Sequence, residues 1–184
     1  MRGRRLTVWV LVAGISLWGT SVTPQPRPRL SFPQVEAALR LGKNLGHQDL
    51  SGLDLTGLNF RGADLRGAIL VRANLRRAQL TGADLGAADL TDAYLDGVTA
   101  PRSTWVRATL LAASLRGANL AQVEMLETRL EKADLHGANL TEGSFVRANF
   151  SGANIDGAAF AHADASEALN LAAARNATTA IWGE

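Results

Sequence analysis

The sequence predicts an all-β solenoid, and three observations carry that prediction. A large apolar residue stands at nearly every fifth position from Leu45 to Phe160: of the 24 positions, sixteen are Leu, four are Phe, and Trp105, Met125, Ile155 and the small Ala100 complete the series. Ala stands two residues before the centre in fifteen of the 24 pentads, as in Ala63-Asp64-Leu65 and Ala118-Asn119-Leu120, with Asp or Asn commonly between them. Gly recurs two residues after the centre, as at Gly57, Gly62, Gly67, Gly82, Gly97, Gly117, Gly137, Gly152 and Gly157. The unit Ala-(Asp/Asn)-Leu-x-x therefore repeats in tandem without an insertion.

A step of five excludes the regular alternatives. On an α-helix it turns the chain about 500°, roughly 140° net, so the leucines would scatter around the cylinder. In a long strand an odd step sends alternate leucines to opposite faces. A very short extended piece works: Ala and Leu, two apart, point inward, the Asp or Asn between them points outward, and a two-residue corner follows. Gly suits the second corner position, where φ > 0 is needed. If all bends turn the same way, four edges close a square and the chain climbs.

The elements follow in order. Arg2, Arg4 and Arg5 precede an apolar run from Leu6 to Trp18 and the small residues Gly19, Thr20 and Ser21. That order reads as a secretory signal peptide over 1–21, cleaved between Ser21 and Val22. The run is short of the ~20 residues of a membrane span, so no stable membrane anchor is expected after cleavage. Residues 22–32 form a Pro-rich leader of extended character. Residues 33–43 carry Val35, Ala38, Leu39 and Gly42 at helical spacing behind Pro33, as expected of a capping helix, and Leu53 and Leu58 widen the opening coil it would cover. The repeats occupy 44–164. Residues 165–184, Ala-rich from Ala165 to Arg175, read as a C-terminal helical cap and tail, with Ile181 and Trp182 as a plug.

These residues identify the chain as resembling the pentapeptide-repeat proteins, and the resemblance covers about two-thirds of it. It implies a right-handed quadrilateral β-helix with four pentads per coil, hence about six coils and, at ~4.8 Å per coil, a rod about 29 Å tall. Many members with signal peptides are periplasmic or thylakoid-lumenal proteins of cyanobacteria, so the expected location is the periplasm or the thylakoid lumen. Other members mimic duplex DNA, bind DNA gyrase and protect it from quinolones; they are cytoplasmic and strongly acidic.

Composition separates these branches. The sequence pI is near 9.7, but three of the nineteen basic residues lie in the signal segment. Between residues 44 and 164 there are fourteen acidic and eleven basic residues. The rod is only mildly acidic, which suits neither a nucleic-acid binder nor a dense polyanion mimic. Without Cys the chain has no disulfide and no thiol nucleophile. His47, His136 and His162 fall on different columns, so no catalytic or metal-ligating cluster is expected, nor a cofactor.

Function on such a rod belongs to its outer columns, where residues twenty apart become vertical neighbours. Asp64, Asp84, Thr104, Glu124, Ser144 and Asp164 align as a sparse acidic column, read chiefly as solvated turn-capping residues and alternatively as a cation- or partner-binding strip. Arg107, Glu127 and Arg147 align with alternating sign. The first corner position places Val106, Leu126 and Val146 on consecutive coils, with Leu111 on the next face. Monomeric proteins usually cover such a stripe, either by a return of the C-terminal segment or by contact with a protein. The sequence therefore points to an exported, non-catalytic structural or protein-interaction module, able to self-associate or to bind an unknown protein, with the DNA-mimicking gyrase-binding class as the alternative.

Overall fold

The computed structural model describes residues 28–42 and 44–182. The signal segment, its Ser21/Val22 boundary and the first part of the leader lie outside the described residues.

From residue 44 onward each pentad repeats one pattern: a single bridged residue, the large apolar centre, and a two-residue turn. Bridges join residues twenty apart in parallel from Asn44↔Asp64 to Asn149↔Leu169 without a slip. Four pentads thus make one coil, and four flat faces run up the rod. We number them by their central columns: face 1 from Leu45 to Phe145, face 2 from Leu50 to Phe150, face 3 from Leu55 to Ile155, face 4 from Phe60 to Phe160.

Buried backbone donors need acceptors, and one pentad shows where they go. Leu65 N donates to Asp84 O at 2.7 Å, Gly67 N to Gly86 O at 2.8 Å, Ala68 N to Leu65 O at 3.0 Å, and Ile69 N back to Gln48 O at 2.9 Å. The fifth donor, Arg66 N, points outward and is met by Asp64 Oδ1 at 3.1 Å. The same local cap recurs at Asp49, Asp54, Asp84, Asp89 and Asp134, and with Asn at Asn59, Asn119 and Asn139. Asp and Asn therefore dominate the outward position because they satisfy the one turn N–H that coil-to-coil pairing misses. At the second corner φ is positive whether the residue is Gly67 (60°) or Arg107 (58°), the left-handed third residue of a type II turn.

All 24 centres are buried, and so are the Ala residues two before them from Ala63 to Ala158. Misfits compensate in volume. Ala100 follows Val98 and precedes Trp105, whose indole Nε1 donates to Ser103 Oγ at 2.6 Å; Ser103 Oγ in turn donates to Ala100 O at 2.5 Å. Thr128 Oγ1 donates to Trp105 O at 2.8 Å. Ser103 and Thr128 are the two buried polar side chains among the described residues, and both are satisfied through this Trp. Gly143 makes room for a ring: a Cβ there would lie 2.8 Å from Phe145 Cε2. Pro101 and Arg102 keep the turn and the phase, since Gln79↔Thr99 and Thr104↔Glu124 stay in register.

The two ends differ. Helix α1, Phe32–Leu41, begins at Ser31, whose N and Oγ both donate to Gln34 Oε1 at 2.8 Å. Its Val35 is buried in the core, with Ala38, Leu39, Leu53 and Leu58 packed against it. The described end of the leader is bound to the rod: Arg29 bridges Asp49, and Leu30 N donates to Asp49 O at 2.8 Å.

The helical cap expected over 165–184 is corrected. The described part of that segment continues around the rod with Leu169 against Asn149, Arg175 against Asn154 and Ile181 against Ala159. Its helical content is a single 3-10 turn, Ala177–Thr179. Unpaired donors at the last regular coil decide this: Phe150 N, Ile155 N and Phe160 N take Leu169 O, Arg175 O and Ile181 O at 2.9, 3.1 and 2.8 Å. Edge pairing outweighs the modest helix propensity of an Ala-rich stretch. Trp182 stacks on Phe160, ring centroids 4.6 Å apart, and Phe145, Phe150 and Phe160 form a tilted cluster beneath it.

Candidate functional site

Face 1 carries the apolar stripe. Each first-corner residue follows an inward centre, so its side chain leaves the core and lies along the outer edge. Leu126 is 37% exposed, and Val106, Val146 and Leu111 are half-buried. The described part of the C-terminal segment does not return over them; it closes the end of the rod instead, and Ser166 continues the column below Val146. Stripe and ends are therefore separate features.

Charge flanks the stripe on its second-corner side. Arg107 Nε lies 2.8 Å from Glu127 Oε2 and Arg147 Nε 2.6 Å from Glu167 Oε2, each pair bridging one coil to the next. Above Val106 the same column thins to glycine. Gly67, Gly86 and Ala87 floor a shallow groove of about 550 Å³, walled by Arg66 on one side and by Val106 and Arg107 on the other. Stripe and groove are continuous. The groove was not read from the sequence, although its signal is there: Gly46, Arg66, Gly86 and Val106 are successive members of one column.

The acidic column is not an open row of carboxylates. Asp64 is held by Arg66 through two contacts, Nε to Oδ1 at 2.9 Å and Nη2 to Oδ2 at 2.7 Å, and Arg66 Nε reaches Asp84 Oδ2 at 3.6 Å. The Arg66 side-chain hydrogen bonds pull the Asp64 carboxyl down to about 2. Thr104 Oγ1 donates to Glu124 Oε2 at 3.4 Å. Asp164 is lowered by the Ser166 hydroxyl and backbone N–H, as Asp54 is by Thr56. Among the described residues no group of three or more His, Cys, Asp or Glu side chains is placed to hold a metal ion. The glycines of the face 3 corner, Gly97 through Gly157, all have positive φ, so turn geometry accounts for that column.

These shifts set a pH dependence. A carboxylate whose folded pKa is depressed stabilises the fold fully above its unfolded pKa, ~3.9 for Asp, and the contribution is lost as pH falls through the folded value. Asp64, Asp54, Asp164 and Glu127 are all lowered. Thermal melts at fixed ionic strength should therefore show a midpoint nearly constant from about pH 7 to 5 and falling between about pH 4 and 2. A decline centred above pH 5 would contradict these assignments.

The pentapeptide-repeat family, described as "Pentapeptide repeats (8 copies)", matches residues 42–77, 59–97, 88–125, 108–144 and 128–169. The chain belongs to that family. Its members fold as right-handed quadrilateral β-helices, the architecture described above. No curated protein matches this pentapeptide-repeat protein.

Among solved structures it is similar to HetL, involved in heterocyst differentiation regulation in the cyanobacterium Nostoc sp. strain PCC 7120. Identity is 20% over 83% of this chain and 95% of that one, with a TM-score of 0.48. QnrB1, a plasmid-mediated fluoroquinolone resistance protein, is 23% identical over 65% of this chain and 68% of its own, with a TM-score of 0.52. A thylakoid-lumen pentapeptide repeat protein of Arabidopsis thaliana is 31% identical over 47% of this chain and 67% of its own, with a TM-score of 0.29. At this level of identity the QnrB1 likeness speaks for the fold alone. No helix among the described residues is long and apolar enough to cross a membrane.

Proposed function

We propose that this pentapeptide-repeat protein is an exported, non-catalytic rod, working in the periplasm or thylakoid lumen, that contacts another protein through face 1. The supporting observation is the outward row Val106, Leu126 and Val146 on three consecutive coils, left uncovered by the described part of the C-terminal segment. A stripe of this kind gains free energy when a partner removes it from water. Export rests on the order of charge, apolar run and small residues ending at Ser21. The DNA-mimicking alternative needs a dense negative surface, whereas here Arg66, Arg107, Arg116 and Arg147 sit among the carboxylates at ion-pair distance.

Two measurements test the reading. Fractionation of cells expressing the natural gene, with N-terminal sequencing, should recover the protein outside the cytoplasm with Val22 as its first residue. Recovery in the cytosol with residues 1–21 intact would overturn export and make inhibition of gyrase supercoiling the next assay. Leu126→Asp should change folding stability by no more than about 0.5 kcal/mol while weakening association at least about tenfold. If it leaves association and stability both untouched, the stripe is neither interface nor support.

A further inference from the structure

We propose that the partner of face 1 is a second copy of this chain, packed end for end about a two-fold axis midway between Val106 and Leu126; this deepens the interaction reading above and rests on it. Spacing is the first argument. The outward features of face 1 recur once per coil, ~4.8 Å apart, whereas same-side residues of an extended strand stand ~6.6–6.8 Å apart and fall out of step within a few contacts. A second rod with the same coil spacing stays in step along the whole face.

Charge decides the direction. If two parallel rods met on this face, the two-fold would set the second-corner column of one against the bridged column of the other. Glu127 would then oppose Glu124, and Glu167 would oppose Asp164, both like-charged encounters. Turned end for end, each column meets itself in reverse order. With the axis midway between Val106 and Leu126, Val106 faces Leu126 of the second copy and Arg107 faces its Glu127. The intramolecular Arg107 and Glu127 pair, 2.8 Å apart, then becomes part of a four-charge cluster around the axis.

Shape decides the register. In this alignment Val146 faces Gly86 of the second copy, so the last apolar knob enters the groove floored by Gly86 and Ala87. At the end of the face Ser166 comes opposite Arg66, Glu167 opposite Gly67 and Asp164 opposite Asp64. The Asp64 carboxylate is already held by Arg66, so this one like-charged encounter is offset, against two in the parallel arrangement. Moving the axis one coil toward the C-terminus keeps the alternating charges matched but leaves that groove empty and shortens the overlap to the coils from Val106 to Ser166. The face is narrow against the ~800 Å² per partner of a standard interface, so the dimer is expected to be concentration-dependent.

Sedimentation equilibrium of the purified protein over a wide concentration range should show a monomer–dimer equilibrium, and Leu126→Asp should raise its dissociation constant at least about tenfold with an unchanged thermal midpoint. The register is read with single cysteines, since the sequence has none. Val146→Cys and Ala87→Cys lie three coils apart in one chain, ~14 Å, too far to join. A mixture of the two variants should form a disulfide-linked dimer under mild oxidation, while neither alone should do so efficiently. A dimer that survives Leu126→Asp, or one that links through other positions but not these, overturns the proposal. A protein that stays monomeric at every concentration overturns it too. If such a monomer still binds a different protein through Leu126, the interaction reading stands; if Leu126 matters to nothing, both fall.

Discussion

Trp105→Ala is expected to destabilise the rod by ~3 to 5 kcal/mol. Trp105 is fully buried at a position most often held by Leu, and the volume left by its indole cannot be refilled by a backbone pinned on both sides. Trp105 N donates to Glu124 O at 2.7 Å, and Thr104 N donates to Ala83 O at 3.0 Å, so coils above and below hold the site open. The indole N–H is satisfied by Ser103, so its removal takes one partner from that hydroxyl but leaves the bond to Ala100 O in place. Most of the loss is thus cavity rather than hydrogen bond. Ala100→Leu alone should cost ~1 to 3 kcal/mol by overpacking against the Trp. Trp105→Leu with Ala100→Leu restores the regular pentad pair and should recover much of either loss. Urea unfolding midpoints of the singles and the double would measure the coupling; strict additivity would mean that Ala100 and Trp105 do not share volume.

Leu115→Ala should cost ~2 to 5 kcal/mol, while Asn119→Ala should cost less than ~1 kcal/mol. Four residues separate these positions, and both lie within the same run of repeats. Leu115 is buried at the middle of its column. Asn119 is exposed, its Oδ1 accepting from Ala121 N at 3.3 Å and from Asn139 Nδ2 at 3.4 Å, both replaceable by water. Comparable losses at the two positions, measured by the same unfolding curves, would contradict the assignment of inside and outside to the pentad.

That assignment was legible because the pentad is self-sufficient. The centre, the small residue two before it and the left-handed corner recur within five residues, so local spacing specifies the inward set without knowledge of distant contacts. Irregular pentads were legible for the same reason: Val98 before Ala100 and Gly143 before Phe145 read as volume exchanges, and the structure keeps Trp105 and Phe145 buried beside them. The stripe of Val106, Leu126 and Val146 also followed from counting in twenties. The groove did not. Its depth depends on where Arg66 lies, and Arg66 is drawn onto Asp64 and toward Asp84, a choice among rotamers that spacing leaves open.

The C-terminal segment shows the other limit. From Ala165 to Arg175 its local preference is helical, yet the chain bridges at Leu169, Arg175 and Ile181, six residues apart instead of five. No rhythm in the segment announces this, because the demand comes from the coil beneath it, whose donors at Phe150, Ile155 and Phe160 would otherwise be left unpaired. The sequence by itself thus determined the coil, its register and its interior, all set by interactions that repeat within each pentad. The tertiary structure alone decided how the last coil closes, which carboxylates are held by Arg66 and Arg107, and that the described C-terminal residues leave the apolar stripe uncovered. Those outcomes depend on neighbours twenty residues away and on groups with no partner until the rod exists.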